Sequence, residues 1–133
     1  MERPFKRSLE SLDEISEALQ TFFADNDART EHLESVILAV EELFTNMLKY
    51  GGGTGDIVIA VALDDGELVV GLTDFDVDEF DVTQAPEVDV DRPLSERQPG
   101  GLGIHLVKKL MDRIEYNYVE RRGTTKFFKR LNR

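Results

Sequence analysis

Residues 33–53, LESVILAVEELFTNMLKYGGG, carry the pattern from which the fold is read. Leu33, Val36, Ile37, Val40, Leu43, Phe44, Met47 and Leu48 recur at the i, i+3, i+4, i+7 spacing of an α-helix. At about 100° per residue they form one apolar stripe roughly 140° wide. Gly51, Gly52 and Gly53 end the helix, because glycine readily takes the left-handed conformation of a helix cap.

Upstream, SLDEISEALQTFFADN predicts another helix. Ser11-Leu12-Asp13-Glu14 has the form of a capping box, and Leu12, Ile15, Leu19, Phe22 and Phe23 keep helical spacing. PFKRSL before it reads as a short opening strand. Downstream, DIVIAVALDD and GELVVGLTD read as two strands joined by a hairpin at Asp64-Asp65-Gly66. Residues 75–99 are acidic, contain Pro86, Pro93 and Pro99, and show no sustained period, which suits a lid. A helix over Gly103–Met111 follows, with Leu106, Val107, Leu110 and Met111 as its core positions. RIEYNYVE and TTKFFKRL then predict a second hairpin around Arg122-Gly123. The order β-α-α-β-β-lid-α-β-β points to an α+β fold, with helices on one face of a mainly antiparallel sheet. With 133 residues the chain suits one domain spanning 1–133.

Composition narrows the function classes. The net charge is −11. Residues 64–96 hold twelve acidic side chains against Arg92 alone, whereas residues 97–133 hold ten basic and three acidic. Such a surface repels duplex DNA over most of its area, so direct nucleic-acid binding is not expected. The basic C-terminal part suits an anionic ligand or an acidic partner. There is no Cys, and two His are too few for a typical zinc site. No apolar run reaches the roughly 20 residues of a membrane span, and MERPFKRSLE lacks the apolar stretch of a signal peptide. A cytoplasmic location follows as the expectation.

Three stretches are candidates for chemistry. Glu42 and Asn46 lie four apart and share a helix face, roughly opposite the apolar stripe. A carboxylate and an amide oxygen together ligate Mg²⁺ or orient a hydroxyl, although a solvated helix face has the same pattern. Asp74 and Asp76 leave a strand in LTDFDVDEFDV, where a carboxylate accepts a hydrogen bond from an exocyclic amine or simply lines an acidic turn. Gly100, Gly101 and Gly103 precede a helix start, whose free N–H groups favour anions such as phosphate. The pattern is not a P-loop, since no Lys-Ser/Thr follows the glycines.

EELFTN, a strand ending in LTD, GGLGIHLVKKLMD and GTTKFFKRL occur in one order from about Phe5 to Leu131. Together they resemble the anti-sigma-factor serine/threonine kinases of the GHKL ATPase superfamily. The resemblance implies a Bergerat ATP-binding fold, a two-layer α/β sandwich, with ATP and Mg²⁺ as cofactors. It implies that Glu42 is the catalytic base and Asn46 the Mg²⁺ ligand. It implies that Gly101, Leu102 and Gly103 belong to a mobile ATP lid over about residues 75–103, and that Gly123 and Thr124 support the adenine pocket. The partners it implies are a small antagonist protein phosphorylated on serine, a sequestered sigma factor and a second copy of the chain. The catalytic domain of a sensor histidine kinase shares the fold, but the lid stretch resembles the anti-sigma group more closely.

One box departs from that family's pattern. Its adenine motif is Asp-x-Gly, followed by a turn that FDVTQAP resembles, yet TDFDVDEF has no glycine. Counting back from Phe80 without a gap puts the motif's Asp on Phe75 and its Gly on Val77, so Asp74 and Asp76 flank the expected position. A Cβ there obstructs close backbone approach to the base. The competing expectation is therefore a non-catalytic module that holds partner proteins.

Overall fold

The computed structural model describes residues 1–81 and 101–131. Most of the lid stretch, residues 82–100 with Pro86, Pro93, Pro99 and Gly100, lies outside the described residues. The elements are β1 (Glu2–Phe5), α1 (Ser11–Asp25), a single 3₁₀ turn (Thr30–His32), α2 (Leu33–Tyr50), β2 (Ile57–Asp64), β3 (Glu67–Phe75), α3 (Gly101–Leu110), β4 (Arg113–Val119) and β5 (Arg122–Arg130). The five strands form one sheet in the order β1-β2-β3-β5-β4, and each neighbouring pair is antiparallel. The α+β expectation holds.

Period-2 alternation assigns the two faces of the sheet. Ile57, Ile59 and Val61 of β2 and Leu68, Val70 and Leu72 of β3 are buried beneath the helices. Along β4 the outward positions Arg113, Glu115, Asn117 and Val119 are exposed. The α2 stripe packs onto the buried face: Val36, Val40, Leu43 and Phe44 are all fully enclosed. Ile15, Leu19 and Phe23 of α1 and Ile104 and Val107 of α3 complete the same core.

Local details correct the sequence reading in four places. Ser11 is not the cap of α1; its hydroxyl donates to the Lys6 carbonyl at 2.7 Å. Glu10 is the N-cap and no side chain caps α1; Ser8 Oγ takes the Glu10 N–H at 3.2 Å in the turn before it. α3 begins at Gly101, so Gly101, Leu102 and Gly103 form its first turn rather than the loop before it. Leu106, expected in the core, is exposed, because α3 is covered on one side only. The second hairpin turns at Glu120 and Arg121, with φ of 49° and 61°, and Gly123 is already in β5. The first hairpin is as read: Asp65 and Gly66 have φ of 49° and 79°, the pair of left-handed residues a tight hairpin needs.

Because Phe44 is fully enclosed between α2 and the sheet, Phe44→Ala should cost about 3–5 kcal/mol. Differential scanning calorimetry should show Tm falling by on the order of 10 °C or more.

Candidate functional site

The site is built where the C-terminal half of α2 meets the ends of β3 and β5. Asn46 is 4% exposed. Its Nδ2 donates to the Glu42 carbonyl at 2.8 Å, one turn back in the same helix, which fixes the orientation of the amide. The Glu42–Asn46 face is therefore not the solvated face that its position opposite the stripe suggested. α3 covers it. The approach is close enough that a Cβ on Gly103 would overlap Glu42 Oε2 and lie 2.9 Å from its Cδ. Gly103 thus makes room for the Glu42 carboxylate against the first turn of α3.

Beside Asn46, Met47 and Gly51 form one wall of a narrow cleft that encloses about 20 Å³, little more than the space of one water. Asp74, Gly123 and Thr125 form its floor, and Tyr116 lines it from β4. Asp74 sits at the end of β3, 4% exposed. Arg7, from the segment after β1, binds Asp74 Oδ1 through Nη2. The same guanidinium donates from Nη1 to the Met47 carbonyl and from Nε to the Gly55 carbonyl, each at 3.0 Å. The glycine loop closes over this pair. A Cβ on Gly53 would overlap Arg7 Nη2 and stand 2.8 Å from Asp74 Oδ1 and 2.7 Å from Val77 Cγ1.

Residues 76–80 run along the cleft mouth, clamped to the β4–β5 hairpin. Val77 N–H donates to the Arg121 carbonyl at 3.0 Å, and Tyr118 Oη donates to the Val77 carbonyl at 2.7 Å. Phe80 N–H donates to Tyr116 Oη at 3.0 Å. Arg121 reaches Asp76 at 3.0 Å and Asp78 at 2.9 Å. These bonds, to Asp76 first and Asp78 second, push the Arg121 guanidinium further above its ordinary range. Burial pushes the Tyr116 hydroxyl up, and the Phe80 N–H bond offsets part of that rise.

The structure brings together Glu42, Asn46 and Gly103 at one point, and Asp74 and Gly123 in the adjoining cleft. It does not bring in Asp76 or Thr124. Asp76 is exposed at φ 54° and paired with Arg121. Its left-handed backbone is the conformation glycine favours, and Asp is among the few other residues that tolerate it. Thr124 lies on the opposite face of the sheet, bonded to Thr73 at 2.9 Å. Thr125, not picked out in the sequence, occupies the cleft. Alternation along β5 was the available signal, since Thr125 shares a face with Gly123 and Phe127. Arg7 was also missed; nothing local marks a pairing 67 residues away. Lys108 and Lys109 are exposed, as read. Among the described residues no group of three or more His, Cys, Asp or Glu is placed to hold a metal ion. No described helix is long and apolar enough to cross a membrane.

Residues 5–128 match the family of the histidine kinase-like ATPase domain. The chain belongs to that family. Over 92 residues it is 33% identical to the serine-protein kinase RsbW of Halalkalibacterium halodurans, a match covering 64% of this chain and 55% of the relative. The chain thus spans about half the length of that curated relative. Solved structures share the fold. The RsbU and RsbW domains of a Mycobacterium tuberculosis protein superpose with a TM-score of 0.71 at 16% identity, covering 100% of this chain and 32% of that one. The SiaB–SiaC complex of Pseudomonas aeruginosa gives 0.64 at 17%, covering 97% and 87%. The histidine kinase AdeS of Acinetobacter baumannii gives 0.56 at 12%, covering 100% and 68%. For this histidine kinase-like ATPase domain, Asp74 lies in the cleft and Asp76 does not.

Two outcomes follow from the packing. Gly53→Ala should destabilise by about 1–3 kcal/mol through overpacking. Gly103→Ala should leave stability within about 1 kcal/mol, because better helix propensity offsets rotation of the Glu42 side chain away from the added Cβ. Urea unfolding of both variants measures the contrast. Burial, then Glu42, then Asp13 raise the Glu41 carboxyl above its ordinary range. A raised folded-state value favours the protonated form, so this group's contribution is full below the unfolded value and lost as pH rises. Glu41→Gln should therefore raise Tm by about a degree at pH 7, a small effect for a half-buried group that solvent still screens. The gain should vanish near pH 4.

Proposed function

We propose that this chain, as one domain, is an ATP-dependent serine/threonine protein kinase and anti-sigma factor. In this reading it phosphorylates a small antagonist protein and otherwise holds a sigma factor, as a cytoplasmic homodimer. The observation that carries it is the grouping of Glu42, buried Asn46 and Gly103 beside a cleft floored by Asp74. Membership of the histidine kinase-like ATPase domain family and the 33% identity to a named serine-protein kinase support it.

Each residue has a role in this reading. Asp74 accepts a hydrogen bond from the adenine amino group, with Gly123 leaving room for the base. Gly101, Leu102 and Gly103 present the first turn of α3 to the phosphates, as a helix N-terminus suits anions. Asn46 fits Mg²⁺, since the amide oxygen is a hard ligand and the Nδ2–Glu42 bond fixes its orientation. Held there, Mg²⁺ would supply positive charge against the charge that develops in phosphoryl transfer. Glu42 accepts the proton of the acceptor serine hydroxyl. Asp76 and Thr124 have no direct role here; Thr125 takes the place expected of Thr124.

A second reading is favoured by Val77 and Phe80, which line the cleft while clamped to β4 and β5. If that strap stays closed, the chain is a non-catalytic module acting by partner switching. Thermal unfolding with and without millimolar MgATP separates the two. A ligand at 100 times its Kd adds about 2.7 kcal/mol, so Tm should rise by about 5–15 °C. The rise should require Mg²⁺ and disappear in Asn46→Ala, as should phosphotransfer to the antagonist. No rise at millimolar MgATP would reject the kinase reading in favour of the binding module.

A further inference from the structure

We infer that Arg7 is a positioning residue for nucleobase recognition: from behind the cleft, it orients the Asp74 carboxylate that reads the base. The inference rests on the nucleotide-binding reading above and extends it to a residue far from the sequence motifs.

The geometry has three parts. First, the Arg7 side chain is 12% exposed and each of its three guanidinium nitrogens is bonded, to Asp74 Oδ1 and to the carbonyls of Met47 and Gly55. A guanidinium held in place by two backbone carbonyls fixes where Nη2 stands, and with the Phe75 N–H on the same oxygen it pins Asp74 Oδ1. Second, the two carboxylate oxygens are divided. Oδ1 faces Arg7, accepts the Phe75 N–H at 3.1 Å and lies under Gly53; Oδ2 lies toward Gly51, a wall of the cleft. Oδ2 is thus the oxygen available to a base. Third, Arg7 does not line the cleft, so it acts on a bound base only through Asp74.

A carboxylate oriented in this way accepts from the 6-amino group of adenine and repels the 6-oxo group of hypoxanthine. The preference for MgATP over MgITP therefore reports the orientation of Asp74. Loss of folded protein would weaken both nucleotides alike; loss of orientation changes their ratio.

The experiment is isothermal titration of MgATP and MgITP into the full chain, its Arg7→Lys and Arg7→Gln variants, and Arg3→Gln as an exposed control on β1. The wild type should prefer MgATP by about tenfold or more. Arg7→Gln should bring the ratio close to 1, Arg7→Lys should retain more of it than Arg7→Gln, and Arg3→Gln should leave it unchanged. In the Asp74→Asn background, Arg7→Gln should not change the ratio further. Because Arg7→Gln strands a buried carboxylate and can fail to fold, Arg7→Lys and the Arg7→Gln/Asp74→Asn pair carry the test in that event. An unchanged ratio in a folded Arg7 variant, or equal weakening of both nucleotides, would overturn the role of Arg7 alone. A further change with Asp74→Asn would do the same. A wild type that binds neither nucleotide, or binds both equally, would overturn the base-reading assignment and the role of Arg7 with it.

Discussion

The buried ion pair between Arg7 and Asp74 is the contact on which the arrangement of the site depends. It joins four segments far apart in sequence: the end of β1, the last turn of α2, the glycine loop and the end of β3. Removing one partner of such a pair leaves a desolvated charge and costs about 3–5 kcal/mol. The two carbonyl bonds of Arg7 matter as much as the charge. By holding the Met47 carbonyl, Arg7 fixes where α2 ends relative to β3. Asn46 and Glu42, within the preceding turn and a half, inherit that position.

The glycines show how closely the elements approach one another. Gly53 lets the loop lie on the ion pair, and Gly103 lets α3 lie on Glu42. Neither requires a left-handed backbone. The sequence suggested that the glycines before α3 serve loop mobility, yet Gly103 is already helical and has a packing reason to lack a side chain. In this chain Gly53 and Gly103 each mark a place where a loop or helix is brought down onto a carboxylate side chain.

The large elements were legible because they rest on local periodicity. The α2 stripe, the Asp65-Gly66 turn and the alternation in β2 and β3 each fix an element within one segment. The site was legible only in part. Glu42 and Asn46 could be paired from their spacing, but their burial could not, because the cover comes from α3 more than fifty residues later. Thr124 and Thr125 are adjacent, and the alternation that puts Thr125 on the face of Gly123 and Phe127 decides which one enters the cleft. Choosing between Asp74 and Asp76 needed the strand end: β3 carries Asp74 inward, and the left-handed turn at Asp76 sends that carboxylate to Arg121.

The same contacts answer the objection that the acidity of the segment raises against a polyphosphate ligand. Four carboxylates lie within 74–79, and in isolation they would repel phosphate. Arg7 provides the counter-charge for Asp74, and Arg121 bridges Asp76 and Asp78. The compensation is unequal. Arg7 works in a buried setting where Coulomb interactions are strong, whereas Arg121 works at the surface, where solvent and salt screen it. The acidity left after pairing is therefore concentrated on the exposed strap rather than on the cleft floor. A charged ligand meets its electrostatic barrier at the cleft mouth, where the strap is held by hydrogen bonds to Tyr116, Tyr118 and Arg121. Asp76 and Asp78 sit on the same strap as Val77 and Phe80, so the electrostatic and the steric obstacle lie on one segment.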